Sequence, residues 1–389
     1  MTKRYSGLEV EILAAVNGDV GLKDIADIPN AHEVWHLYLK EEQQEKPKQE
    51  EKKKYYSYRK RERYPRDESA YNKGQEEEFL LFLEYLEPAT EYVLDKNLPA
   101  GCSFEYYKKI HDSLICLCLK KYWGKSLRRS MGFIKYIVWR EFPGVKVPCF
   151  KTLDNRQNNP TISFYADKII EATAKPLSCL ETKFTTDGTG EATFQYSTWY
   201  SIKVSKELRK KDHKVAEVTS TIKLHAAIVV DVLDHEEPSL MQKHIEIASH
   251  NFTIEDWSAD TYYLTRDNCS SVRDVNGRAH IRIKARTRSD AKGSPEWKRT
   301  VSLQKAKDQK ELDELNLRQN GESTNSAKKR KFGGYTLARN DFSQVNDIKI
   351  SWACYNFSVL ARAYYEYDIV PGFLTHKFSR CFFRLGVYT

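Results

Sequence analysis

Apolar residues recur at intervals of three and four over 104–117, where Phe104, Tyr107, Ile110, Leu114 and Leu117 form one stripe behind Ser103. That spacing predicts an amphipathic helix with Ser103 as its N-cap. Gly124 interrupts the pattern. A second stripe follows at Leu127, Met131, Ile134 and Val138, with Arg128 and Lys135 on the opposite face. Two helices across a short glycine turn, the second carrying cations, are compatible with a helix-turn-helix DNA reader. Ordinary helical packing with solvated cations explains the same pattern. The whole of 76–142 reads as helical.

Beyond Pro148 and the loop TLDNRQNNPT the periodicity changes. A helix is predicted around 161–178, with Ile169, Ile170, Ala174 and Leu177 inward. TKFTTDG reads as a strand ending at Asp187, with Gly188 and Gly190 supplying a turn, and TFQYSTWYSIKV alternates as a second strand. LHAAIVVDVL, 224–233, is a nearly unbroken apolar run, which predicts a central strand buried on both faces. The helix PSLMQKHIEIASH follows, then a short strand in DWSADTYY ending at Asp260. AHIRIKAR alternates next, with Ile281 and Ile283 on one face and His280, Arg282 and Lys284 on the other. A hydrophilic stretch, 286–321, leads to the segment around Glu322. A last amphipathic helix over 347–366 turns Ile350, Cys354, Phe357 and Leu360 inward. Strands followed by alternating helices and strands predict an α/β fold built on a mixed sheet, preceded by a helical region.

Composition narrows the class. The 389 residues are 40% hydrophobic and 30% charged, a soluble globular composition with room for two domains or one core domain with appendages. No stretch approaches the ~18–20 apolar residues that span a bilayer. Glu9 and Glu11 cut the first apolar run, so it does not read as a secretory signal and a cytoplasmic location is expected. The eight cysteines include no CxxC and have no histidine at zinc-finger spacing, which predicts buried free thiols. Residues 40–66 mix charge signs without aliphatics and read as an exposed linker or solvated helix after a small N-terminal segment. GxGxxG, GxxxxGK[ST] and GxSxG are absent, so dinucleotide, P-loop and nucleophile-elbow chemistry have no support.

The net charge of +9 is unevenly spread: eight Lys/Arg face two acids over 278–299, and five face none over 323–339. Such clusters fit a phosphate backbone as partner, or a basic surface kept for solubility. Just before the second cluster Glu322 stands alone ahead of Lys328, Lys329, Arg330 and Lys331. An acid opening a helix is favoured by the helix dipole, with Gly321 ending the loop before it. The alternative brings in Asp187 and Asp260, both expected at strand ends, where sites form in open α/β sheets. Three carboxylates meeting there would repel one another unless divalent cations lay between them.

TTDGTG, WSADTYYLTRDN and LRQNGESTNSAKKRKFGG together resemble, in order, the three motifs of the insertion-sequence DDE transposases. The resemblance covers roughly residues 148–366. Its third motif, Tyr-x2-Arg-x3-Glu-x6-Lys, is met by Arg318, Glu322 and Lys329, while Leu315 stands at the tyrosine position. The resemblance implies an RNase H-like catalytic domain over 148–366: a mixed sheet with antiparallel leading strands, flanked by helices, with an insertion at about 286–321. The remaining divisions are an N-terminal segment and charged linker, 1–66, a helical DNA-end-binding region, 67–147, and a tail, 367–389.

It also implies chemistry. Asp187 would bridge two Mg²⁺ ions, for which Mn²⁺ can substitute, with Asp260 on one and Glu322 on the other. Arg318, Lys328, Lys329, Arg330, Lys331 and Lys284 form the DNA-binding set. The expected reaction is hydrolysis at the element's ends, then attack of the freed 3′-hydroxyls on target DNA. The expected partner is double-stranded DNA, as terminal inverted repeats and target, held by a homodimer in the nucleoid, with no membrane. Trp297 in the insertion could stack on an unpaired base or simply pack. A metal-dependent nuclease of the same fold, without strand transfer, is the nearest alternative. A catalytically inactive DNA-binding derivative is another.

Overall fold

Residues 67–193, 213–233, 238–288 and 293–374 are described in a computed structural model, and everything below concerns them. Local signals set the helical layer. Asp67 accepts the amides of Ser69 and Ala70 and starts α1, Glu68–Glu76, which α2, Glu78–Asn97, follows. Ser103 accepts the amide of Tyr106 at 3.2 Å to cap α3, Phe104–Trp123. Gly124 ends it with φ 69°, a left-handed geometry open to glycine. Then come α4, Leu127–Glu141, α5, Phe150–Gln157, and α6, Pro160–Ala174, which Asn159 caps.

The predicted stripes are present with differences. Ile110, Leu114, Leu117, Ile134 and Val138 are buried, but Phe104, in the first turn of α3, is 75% exposed. The second half of α3 is buried all round, Cys116 and Cys118 included, because α2, α4, α5, α6 and the last helix enclose it. Ile169, Ile170, Ala174 and Leu177 are buried as expected. Of the thiols, Cys116, Cys118, Cys269 and Cys354 are buried, whereas Cys149 and Cys179 are exposed, so burial does not hold for every cysteine.

Five strands make a mixed sheet in the order β3-β2-β1-β4-β5. They are β1, Lys183–Glu191, β2, His213–Ser220, β3, Ala227–Leu233, β4, Asp256–Ala259, and β5, Arg278–Ile281. The first three are antiparallel, and β4 and β5 run parallel to β1. The other helices are α7, Leu240–Ser249, α8, Arg266–Asp274, α9, Pro295–Lys305, α10, Gln309–Asn316, α11, Arg318–Phe332, and α12, Asp341–Tyr367. Among the described residues no helix is long and apolar enough to cross a membrane.

Four sequence expectations need correction. First, β1 does not end at Asp187: Gly188 and Gly190 pair within it against Ala216 and Lys214. The strand expected in TFQYSTWYSIKV lies outside the described residues from 194 on. Second, β3 is an edge strand, not a central one; its apolar run is buried by α6, α7 and α12 rather than by strands on both sides. Third, β5 stops at Ile281, and His280 does not face water: Nδ1 lies 2.9 Å from Glu311 on α10 and Nε2 2.9 Å from Asp256 on β4. Fourth, 286–321 is not a bare hydrophilic stretch, since it carries α9 and α10. Trp297 on α9 is 7% exposed and packs under the Arg266 guanidinium, 5.5 Å from its ring centre.

One hydrophobic core joins the helices before 147 to the sheet after it. The link is α12, which packs on α1, α2, α3 and α6 and on β3. It is longer than the predicted 347–366, and Trp352, Ala353, Cys354, Phe357 and Leu360 are all fully buried. Asp347 on α12 is buried between Lys120 and Lys121 of α3, bonding Lys121 at 2.9 Å. Burial would raise its pKa, but the two cations outweigh that and hold it well below the carboxylate range.

Candidate functional site

Alternation along β1 sends Thr185, Asp187, Thr189 and Glu191 to one face, and α11 lies on that face. Gly321 makes the approach possible. A Cβ there would sit 2.6 Å from Thr185 Cγ2 and 3.8 Å from Asp187 Cβ, so this is a helix residue selected for close approach, not the end of a loop. The helix begins at Arg318, which puts Glu322 a full turn inside it rather than at its head. No dipole role at a helix start explains Glu322.

The three acids come from three elements. In the parallel pair of β1 with β4, Thr186 faces Ala259, so Asp260, the first residue past β4, comes abreast of Asp187. There it caps a short 3-10 turn, accepting the Thr261 amide at 2.7 Å. Arg318 Nη1 donates to Asp187 Oδ1 at 3.2 Å, and its Nη2 donates to Glu322 Oε1 at 2.6 Å. Burial raises the Asp187 pKa; Glu322 and Asp260 push it the same way, against Arg318 and the Gly188 amide. Asp187 and Glu322 line an open cleft of about 540 Å³ with Thr189, Asn325, Lys329 and Arg330. Asp260 does not line it. Nor do the three carboxylates close on one point: among the described residues only Glu87, Glu91 and His111 bring ligand atoms within 4.8 Å of one another.

The four adjacent cations separate. Lys329 and Arg330 line the cleft, and Lys329 Nζ donates to the Gly190 carbonyl at 2.8 Å. Lys328 is 1% exposed and paired with the equally buried Glu191, so it cannot touch DNA. Burial pulls its pKa down to about 8 in spite of Glu191. Lys331 reaches away from the cleft to Glu78 on α2. Helical geometry explains the split, because residues at successive 100° steps cannot all face one cleft. Lys284 is exposed just beyond β5.

Sequence reasoning missed Glu217. It faces Asp187 directly across β1 and β2 and is completely buried, with Asn325 of α11 donating to its Oε1. The one signal was an acid inside the apolar run of HKVAEVTS. Leu315, at the position of the family tyrosine, is a buried residue of α10 and offers no polar group. Neither the sequence models of known protein families nor the curated proteins contain a match to this chain.

Proposed function

We propose that this protein is a DDE transposase with an RNase H-like catalytic domain, cutting DNA at the ends of an insertion sequence and joining the 3′ ends to target DNA. The observation that carries this reading is the grip of one guanidinium, Arg318, on Asp187 and Glu322, with Asp260 abreast of Asp187 on the neighbouring strand. Those are the acids and the arginine of the three motifs, contributed by β1, the end of β4 and α11. Antiparallel leading strands followed by parallel ones, with helices on the sheet, accord with the expected fold.

Asp187, Asp260 and Glu322 are hard oxygen donors of the kind that hold Mg²⁺. Burial first, and then the two acids Glu322 and Asp260, raise the Asp187 pKa against Arg318, a balance that a bound cation would tip toward the charged carboxylate. Bound there in a pair, Mg²⁺ would activate a water or 3′-hydroxyl and stabilise the leaving oxygen.

The chain's own groups do the rest. Lys329 and Arg330, about two turns beyond Glu322 on the cleft wall, hold phosphates on either side of the reacting one. Gly321 keeps α11 seated on β1, which fixes Glu322 relative to Asp187. With cations held by the two carboxylates, Arg318 would be released from them and available to DNA phosphate. On α4 the cations Arg129 and Lys135 are exposed beside Tyr136 and Trp139, the latter 77% exposed, a mixture suited to phosphates and bases at a DNA end.

The test uses a duplex containing the element's end. Wild type is expected to nick it in Mg²⁺ and to join the 3′ end to a second duplex. Glu322→Gln is expected to lose nicking by orders of magnitude while still binding the end. Undiminished nicking by the variant would exclude the DDE assignment. Nicking without joining, under any assembly conditions, would leave a nuclease of the same fold.

A further inference from the structure

We infer that Glu87, Glu91 and His111 form a second metal site, for a divalent ion of the zinc type, which pins α2 to α3. It shares no residue with the cleft and does not depend on the transposase reading. Glu87 and Glu91 are four apart on α2 and so lie on one face, toward His111 of α3. Their ligand atoms all fall within 4.8 Å of one another.

The histidine is the informative member. It is 2% exposed, and its Nε2 is buried without a hydrogen-bond partner, 4.0 Å from Glu87 Oε1. Its Nδ1 lies 3.0 Å from Asp112 Oδ1. Asp112 is in turn fixed by Lys108 Nζ at 2.8 Å and the Lys146 amide at 3.1 Å. A carboxylate so held accepts a hydrogen bond from Nδ1–H, which leaves Nε2 as a lone pair. A proton on Nε2 instead would have no acceptor within bonding distance. Two carboxylates and an imidazole nitrogen that has no hydrogen-bond partner therefore meet at one place, an arrangement that a cation satisfies.

The donor chemistry selects the ion. Imidazole with carboxylates suits zinc and its neighbours, whereas Mg²⁺ prefers oxygen alone. A histidine whose other nitrogen donates to a carboxylate is the usual support for a zinc ligand. Ligands ~2.0–2.2 Å from a tetrahedral ion stand ~3.3–3.6 Å apart, so small side-chain rotations close the site. Both glutamates are partly exposed, which provides the entry path. With three protein ligands, water completes the coordination.

The full-length protein, stripped with chelator and dialysed against Zn²⁺, is expected to retain one zinc per chain by atomic emission and to melt at a higher temperature than the stripped form. The same stoichiometry is expected in Asp187→Asn/Asp260→Asn/Glu322→Gln, which removes the cleft acids. Glu87→Gln/Glu91→Gln changes only partly exposed positions, so it tests the site without emptying a buried one. It is expected to weaken zinc at least on the order of 100-fold and to abolish the melting shift. Cobalt bound in place of zinc is expected to give the visible absorption of a four- or five-coordinate ion. No retained zinc in wild type, or equal retention by Glu87→Gln/Glu91→Gln, would overturn the proposal.

Discussion

Asp187 and Glu217 are direct cross-strand partners, yet only Asp187 opens onto the cleft; Glu217 lies beneath α11 with no exposed surface. Two carboxylates on neighbouring strands thus have different fates. Burial holds the Glu217 pKa well above its ordinary value; Asp187 and Glu191 add to this, and Asn325 and Lys329 oppose it. A proton on Glu217 also resolves two orphaned atoms, since Oε2 becomes a donor and Asn325 Oδ1 is the acceptor left in the same pair.

Glu217→Gln is therefore expected to stabilise the fold at neutral pH. The raised pKa makes the wild type's contribution complete below the ordinary glutamate value and lost as pH climbs through the folded one. An amide does not titrate. Urea midpoints of the two proteins should converge near about pH 4 and separate above it, with the variant higher. Parallel curves would show that Glu217 carries charge in the fold.

Gly321→Ala would drive a methyl into Thr185 Cγ2. Overpacking of this kind costs about 1–3 kcal/mol, and here the relief available is movement of α11 off β1. Both stability, followed by thermal melting, and end nicking should fall. Thr185→Ser, which removes the obstructing methyl, is expected to restore both in the double variant.

Lys328 and Lys329 are adjacent and should behave oppositely. Lys328→Ala strands Glu191 in the interior at a cost of about 3–5 kcal/mol, visible in denaturant melts. Lys329→Ala/Arg330→Ala should leave melting nearly unchanged. In that variant DNA affinity drops, and its salt dependence flattens by roughly 0.9 in log–log slope for each phosphate no longer neutralised. An unchanged slope would remove the cleft from the DNA path.

His280 bridges two strands and a helix, with Nε2 2.9 Å from Asp256 and Nδ1 2.9 Å from Glu311, an arrangement that favours the protonated ring. Burial lowers its pKa, but those two bonds more than reverse the effect and leave it raised. Its stabilising contribution is complete below the unfolded value of about 6.5 and disappears as pH rises through the folded value. Denaturant stability of His280→Gln should lack that decline above about pH 6.5, while wild type shows it.

Much of the architecture was legible because its cues are local. Ser103 and Gly124 bracket α3, and Ile169, Ile170 and Leu177 mark the inward side of their segment. What failed was non-local. Gly188 and Gly190 resemble turn residues in sequence, but pairing with β2 absorbs them. The run at β3 reports how deeply it is covered, not its place in the sheet order. In the candidate site, Glu322 and Lys329, seven residues apart in the motif, do line one cleft, and Asp260 directly follows a strand. The burial of Lys328 and the presence of Glu217 depend on which helix covers β1, which no residue-by-residue pattern carries.

The long helix α12 has a consequence for how the chain is made. At 27 residues it extends about 40 Å and forms a shared wall for the N-terminal helices and the sheet edge. Those helices leave the ribosome on the order of 200 residues ahead of it, a delay of about 10–40 s at ~5–20 residues per second. Throughout that interval the side of α3 that α12 covers stays open, and Lys120 and Lys121 await Asp347. A chain interrupted before Asp341 would lack the piece that closes both layers, and a truncation there is expected to lose the cooperative melt of the full chain.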